Sequence, residues 1–455
     1  MYIEDTIAAI ATPVGTGGIA VIRVSGKDAF IICDRIFKSP KGKKLEDAKT
    51  HTALFGYIYE DDVLVDEVLC TVMRAPKSFT SENTVEISCH GGIFVTRRIL
   101  EAVIKSGARL AKPGEFTKRA FLNGRLDMAQ AEAVIDVINA SSNQAASLAL
   151  SQMQGGLSSK INELREKITD IIAEIDAVSD FPEEDFEKIT FEEIQKRLRN
   201  GSEELEALIK TAERGKLVRD GIDTVIIGKP NVGKSSLLNA ILLSERAIVT
   251  DTPGTTRDVI EESVSLGNVS LNIFDTAGIR ETDDKIETIG IEKTKEYIKN
   301  AELVLFLVDA MRGVEAEDEE IAELLENKKV ILVINKTDLV GKKEISFEGR
   351  CFETIEISAK TGDGIAELLK KIEEMFDLGE ISKSDAPIIT KTAHKQALIR
   401  AKEFIDSANN ALGVMPDDFI SIDLRSAAEA LGEITGIAVS EEVVDRIFSK
   451  FCLGK

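Results

Sequence analysis

The stretch Thr224-Val225-Ile226-Ile227-Gly228-Lys229-Pro230-Asn231-Val232-Gly233-Lys234-Ser235 decides the fold of the middle of this 455-residue chain. A short apolar, β-branched run predicts a buried strand, and the GxxxxGKS pattern after it opens a helix. The glycines let backbone N–H groups curl around a row of phosphates, and the helix N-terminus adds favourable partial charge. Lys234 is placed to reach the β- and γ-phosphates, and the Ser235 hydroxyl to ligate Mg²⁺. Asn231, Val232, Gly233 and Ser236 complete the loop.

Working outward, three more runs without polar alternation read as strands of a parallel sheet covered on both faces: 271–274, 304–308 and 330–334. Their ends carry chemistry. Asp275-Thr276-Ala277-Gly278 offers a carboxylate for a water-mediated hold on Mg²⁺, and a Gly278 N–H that can approach a γ-phosphate. Thr250-Asp251-Thr252-Pro253-Gly254-Thr255-Thr256 lies between these motifs, with Thr256 as a second Mg²⁺ ligand. Asn335-Lys336-Thr337-Asp338 follows a strand and selects guanine: the Asp338 carboxylate can accept from N1–H and the exocyclic amine, a donor pair that adenine lacks. Asn335 can meet the base edge, the Lys336 stem can lie across the ring, and Ser358-Ala359-Lys360 brings an N–H within reach of guanine O6. Ordered in this way, the motifs predict a GTP-hydrolysing domain over 218–378. The residue after Gly278 is Ile279, where many such domains carry a water-orienting glutamine. Glu287, in an acidic run, is the candidate to position the water, alongside Asp275 and Gly278.

On either side of this domain the texture changes. Residues 1–118 mix short β-rich runs (18–24, 84–88) with helical stretches. Leu126 to Val178 is helical by spacing, weakly broken at Gly155-Gly156, and Pro182 ends it. Helices are also predicted over 191–212, 392–412 and 424–451. A helical block before the domain (119–217) and another after it (379–455) predict one helical domain interrupted by an insertion.

Composition excludes several classes. No run of about eighteen apolar residues predicts a membrane span, and the N-terminus has no secretory pattern. Five scattered cysteines, never in a CxxC pair, argue against a disulfide framework and for a reducing cytoplasm. The net charge of −22 argues against bulk electrostatic coating of nucleic acid. Arg97 to Arg125 is the local exception: eight cations face only Glu101 and Glu115 within the segment. This makes it either a solvated surface or a candidate anion patch.

Beyond the nucleotide motifs, Ala11-Thr12-Pro13 with Gly17-Gly18, Cys89-His90-Gly91-Gly92, Pro113-Gly114-Glu115-Phe116, the run from Arg119 to Asp127 and the ending Phe451-Cys452-Leu453-Gly454-Lys455 resemble the MnmE (TrmE) family of tRNA-modification GTPases. The resemblance covers essentially the whole chain. It implies an N-terminal α/β folate-binding and dimerisation domain, an all-α helical domain and an inserted Ras-like G domain. It also implies a homodimer that works with the flavoprotein MnmG (GidA) to modify C5 of wobble uridine in certain tRNAs. The product is an aminomethyl or carboxymethylaminomethyl group, and a 5,10-methylene or 5-formyl tetrahydrofolate derivative supplies the one-carbon unit. Arg23, Glu86, Arg125 and Lys455 fall at folate-contacting positions. Asn231, Thr250, Thr252 and Thr255 fall where the family binds an activating K⁺, and Glu287 where it carries the acid acting through a bridging water. Cys452 falls in the CxGK ending, beside the tRNA chemistry. The competing reading is a GTP-dependent switch in ribosome assembly or signalling, without folate chemistry.

Overall fold

The computed structural model describes residues 5–180, 191–243, 247–249, 262–266, 268–275, 296–340, 345–347, 349–376, 387–452 and 454. The chain forms two compact units, Met1–Ile135 with Leu431–Lys455, and Asp136–Ala430. The first unit therefore contains both ends of the chain.

Its sheet contains β1 (Ile7–Ile10), β2 (Ile19–Ser25), β3 (Phe37–Lys38), β4 (Thr52–Glu60), β5 (Val63–Met73), β6 (Thr84–His90) and β7 (Arg109–Leu110). The order is β3-β4-β5-β6-β2-β1-β7, antiparallel except for the β1/β7 pair. Alternation fixes the register: Ala20, Ile22 and Val24 of β2 are buried with Val85, Ile87 and Cys89 of β6. The intervening Arg23 and Glu86 thereby point together to the other face as direct cross-strand partners. The C-terminal helix Glu441–Phe448 belongs to this unit: its Val444 and Phe448, with Phe451 just beyond it, form one apolar cluster with Met128 and Ala131.

The second unit carries β8 (Ile222–Ile227), β9 (Ala247–Val249), β10 (Glu262–Leu266), β11 (Val269–Asp275), β12 (Leu303–Asp309), β13 (Val330–Asn335) and β14 (Glu353–Glu356), in the order β14-β13-β12-β8-β11-β10-β9. Five neighbouring strands, β14 to β11 in that order, are parallel. Every residue of β12 and β13 is buried, as a sheet covered on both faces requires. Two apolar clusters fill these faces, one around Leu305 and Leu307, the other around Phe306 and Val308.

The helical segments differ from the periodicity reading at their breaks. The stretch 126–178 contains helices Met128–Asn139, Asn143–Met153 and Gly156–Asp180. The added break falls where the Ser142 hydroxyl accepts from the Ala145 N–H at 3.1 Å, capping a new helix. Helix Phe191–Asp220 continues beyond 212 almost to β8, because Ala212, Gly215 and Val218 keep its buried stripe going. Helix Asp417–Thr435 starts earlier than 424 and stops before Gly436, whose φ is 84°. Among the described residues, no helix is long and apolar enough to cross a membrane.

Candidate functional site

Strand ends build the candidate nucleotide site. After β8, Gly228 (φ 145°) leaves no room for a side chain, since a Cβ there would lie 2.4 Å from the Leu307 carbonyl oxygen. Gly233 (φ 104°) is equally constrained, with a Cβ position 2.2 Å from Asn335 Nδ2. Between them Asn231 takes φ 62°. The loop then opens helix Lys234–Leu242, whose first turn exposes Ser235 and Ser236. Lys234 Nζ donates to the carbonyls of Gly228 at 2.8 Å and Lys229 at 3.0 Å, bridging the loop from inside.

The end of β13 is tied to this loop by side chains. Asn335, buried, donates from Nδ2 to the Val232 carbonyl at 2.8 Å, while its Oδ1 accepts the Ala359 N–H at 3.0 Å. The side chain read from sequence as a base-edge contact also joins three loops, and it accepts the Ala359 N–H that the sequence reading aims at guanine O6. Lys336 (φ 70°) donates from Nζ to the Asn231 carbonyl and to Asp309 Oδ2, both at 2.8 Å. Asp338 Oδ1 accepts from the Ser358 hydroxyl at 2.9 Å, which orients the carboxylate. Gly233, Ser236, Asn335, Lys336, Asp338, Ala359 and Lys360 line one cavity of about 460 Å³, within the range of small-ligand sites.

Asp309, at the end of β12, was missed by motif reading. It sits opposite Asn335 in the sheet register. Burial disfavours its charge, but the Lys336 ammonium and the Met311 N–H hold its carboxyl below the usual aspartate range. An acidic residue closing a seven-residue apolar strand was the available signal.

Asp275 ends β11, registered with Ile226 of β8. Thr250, Asp251, Thr252, Pro253, Gly254, Thr255, Thr256, Thr276, Ala277, Gly278, Glu287 and Lys455 lie outside the described residues.

A second cluster forms in the first unit. The Arg23 guanidinium meets Glu86 Oε1 at 2.8 and 2.9 Å and reaches the Gly454 carbonyl at 3.4 Å. It also lies 5.6 Å from the ring centres of Phe79 and Phe116. Arg125 sits 5.1 Å from the same Phe79 ring and donates to the Phe79 carbonyl. Arg23, Glu86 and Arg125 are therefore brought together. Of the aromatic residues between them, Phe79 had no sequence signal, since it looks like ordinary core, and Phe116 stood out only as part of the Pro113 to Phe116 motif. Cys452 is exposed, and its carbonyl accepts the Gly114 N–H at 3.3 Å.

The basic segment from Arg97 to Arg125 largely loses its standing as an anion patch. Arg98 and Lys105 both engage Glu60. Arg109 bridges Asp5 and Glu115, and buried Arg119 contacts Asp5, Glu82 and Glu115. Lys118 pairs with Asp445. Asp5, Glu60, Glu82 and Asp445, all distant in sequence, supply most of these partners, and Glu115 supplies the rest from within the segment.

A phosphate loop between strand and helix, a predominantly parallel sheet and the NKxD and SAK loops around one cavity define a P-loop GTPase. The sequence family described as "GTP-binding protein TrmE N-terminus" matches residues 6–125, and the "MnmE helical domain" matches 128–452. The chain is 50% identical to the tRNA modification GTPase MnmE of Acetivibrio thermocellus, with all of both chains covered. It is 47% identical to that of Clostridioides difficile strain 630, again over the full length of both. The chain belongs to the MnmE family of tRNA modification GTPases. Among solved structures, it is similar to Era of Aquifex aeolicus bound to GDP·AlF4⁻, at 29% identity over 40% of this chain and 66% of that one, with a TM-score of 0.26.

Proposed function

We propose that the chain couples GTP hydrolysis to modification of C5 of the tRNA wobble uridine. In this reading it acts in the cytoplasm as a homodimer with the flavoprotein MnmG, and a tetrahydrofolate derivative donates the one-carbon unit. The observation that carries the reading beyond GTP hydrolysis is the second cluster. Arg23, Glu86 and Arg125 converge around Phe79, beside the Gly454 carbonyl. A carboxylate can accept from a pterin amine and ring N–H, guanidinium groups can meet the folate glutamate, and Phe79 offers a flat apolar surface. A switch protein has no use for such a site.

The work divides among residues 1–118 for folate and dimerisation, 119–217 with 379–455 for the helical domain, and 218–378 for the nucleotide. Mg²⁺ suits the exposed Ser235 hydroxyl, a hard oxygen donor at a helix start, with Thr256 as its companion. K⁺ suits the exposed Asn231 carboxamide, with Thr250, Thr252 and Thr255. These ions supply charge stabilisation at the transferring phosphoryl group. Lys234 and the loop N–H groups orient the phosphates, Asp338 selects guanine, and Glu287 orients water.

Reconstitution with the flavoprotein, tRNA, folate and GTP, each omitted in turn, tests the reading by mass spectrometry of the tRNA. Unmodified uridine in the complete mixture would overturn it. Titration with 5-formyl-tetrahydrofolate should show binding that Arg23→Ala weakens. Hydrolysis should run faster in KCl than in NaCl at equal ionic strength, and equal rates would remove K⁺ from the scheme.

A further inference from the structure

Lys229 is the second residue of the phosphate loop, yet its ammonium is held by carboxylates of another element rather than by the loop carbonyls that hold Lys234. The residue is only 6% exposed. Its Nζ lies 2.7 Å from Asp318 Oδ2 and 2.5 Å from Glu315 Oε2, at the start of helix Ala316–Glu323. Asp318 is fully buried, and the same Oδ2 accepts the Glu315 N–H at 3.0 Å. Its Oδ1 has no hydrogen-bond partner among the described residues. The ammonium is thus the principal compensation for a carboxylate that the fold has taken out of water. Burial works against the charge on Lys229, but the two carboxylates raise its pKa above the ordinary lysine value.

The backbone of the same residue is also engaged, because the Lys229 carbonyl is one of the two acceptors that hold Lys234 Nζ. A side chain fixed to the helix start and a carbonyl fixed to the phosphate-facing lysine belong to one residue. Displacing one must disturb the other.

We propose that Lys229 is a positioning residue, whose ion pair with Asp318 and Glu315 anchors the phosphate loop so that Lys234 is presented to the nucleotide at its correct place. The proposal rests on the assignment of this loop and cavity as the nucleotide site. Without the anchor, the loop must hold Lys234 while its second residue is free to move. A buried anionic group would also stand uncompensated at the start of helix Ala316–Glu323.

The test uses the full chain and fluorescent mant-GDP and mant-GTP. Lys229→Met should raise both dissociation constants by about tenfold, chiefly through faster release, whereas Lys229→Arg should stay within about threefold of wild type. Asp318→Asn should weaken binding to a similar degree, and the double variant Lys229→Met/Asp318→Asn should be no weaker than the worse single one, as expected for one shared interaction. A fall in melting temperature with unchanged dissociation constants would reduce Lys229 to a structural role and overturn the proposal, as would additive effects in the double variant. If Lys229→Met does not fold, the half-exposed Glu315→Gln decides the matter: a rise of about threefold supports the anchor and no change refutes it. Loss of nucleotide binding by the wild-type chain would instead count against the site assignment itself.

Discussion

The loops around the nucleotide cavity and the basic segment 97–125 both place cations at fixed positions, but they use different acceptors. In the cavity, Lys234 is oriented by two backbone carbonyls, and Lys336 by the Asn231 carbonyl together with Asp309. The two carbonyls direct Lys234 without cancelling its charge, whereas Asp309 also neutralises Lys336. In the N-terminal unit, Arg98, Arg109 and Arg119 are held by carboxylates, which direct and neutralise at once. A run of Lys and Arg therefore says little about anion binding until the acceptors are known.

The largest effect tests the neutralised side of this comparison. Arg119→Met should destabilise the N-terminal unit by about 3 kcal/mol, because the buried Glu115 carboxylate and Asp5 each lose one of two cationic partners and Glu82 loses its Arg119 contact. Chemical denaturation measures it, and GTP hydrolysis by the other unit should persist under native conditions. A loss of GTP turnover without loss of stability would show that Arg119 is more than a structural cation.

Lys234→Ala tests the other side. It should cut GTP turnover by about a hundredfold or more, with a smaller change in melting temperature, since carbonyls rather than buried carboxylates lose their donor. Asp338→Asn should then shift preference from GTP towards XTP. An amide can donate to the xanthine 2-carbonyl, where the carboxylate could only accept from the guanine amine. Competition binding with the two nucleotides measures it, and unchanged GTP preference would take Asp338 out of base selection.

The pH dependence sharpens the contrast further. Burial acts to raise the carboxyl pKa values of Glu115 and Asp5, but the hydrogen bonds from Arg109 and Arg119 prevail and hold both below their ordinary values. A carboxylate depressed in the folded state contributes stability that is complete above its unfolded pKa, about 4. That contribution is lost as the pH falls through the lower folded value. Acid unfolding of the N-terminal unit should therefore steepen below about pH 4, and Glu115→Gln should flatten that limb. The smallest effect belongs to Arg98→Ala. Lys105 still pairs with Glu60, so the melting temperature should not change resolvably.

What could be read in advance follows from the range of each interaction. The phosphate loop, NKxD and SAK motifs are local, because a few consecutive residues after a strand must supply fixed chemistry. The fully buried strands β12 and β13 were legible for the same reason, as unbroken apolar runs. The extra break at Ser142 depended on one capping hydroxyl within a continuous helical pattern.

By itself the sequence determined the GTPase character of the central sheet, the position of the NKxD loop after a strand and the likeness to one family along its whole length. Only the tertiary structure decided that Asn335 ties three loops together, that Lys229 faces Asp318, and that most of the 97–125 cations are paired. These partners lie 103 residues from Asn335 in Val232, 86 from Lys229 in Glu315 and 114 from Arg119 in Asp5. Charge pairing depends on distance in space, and a linear pattern records only distance along the chain.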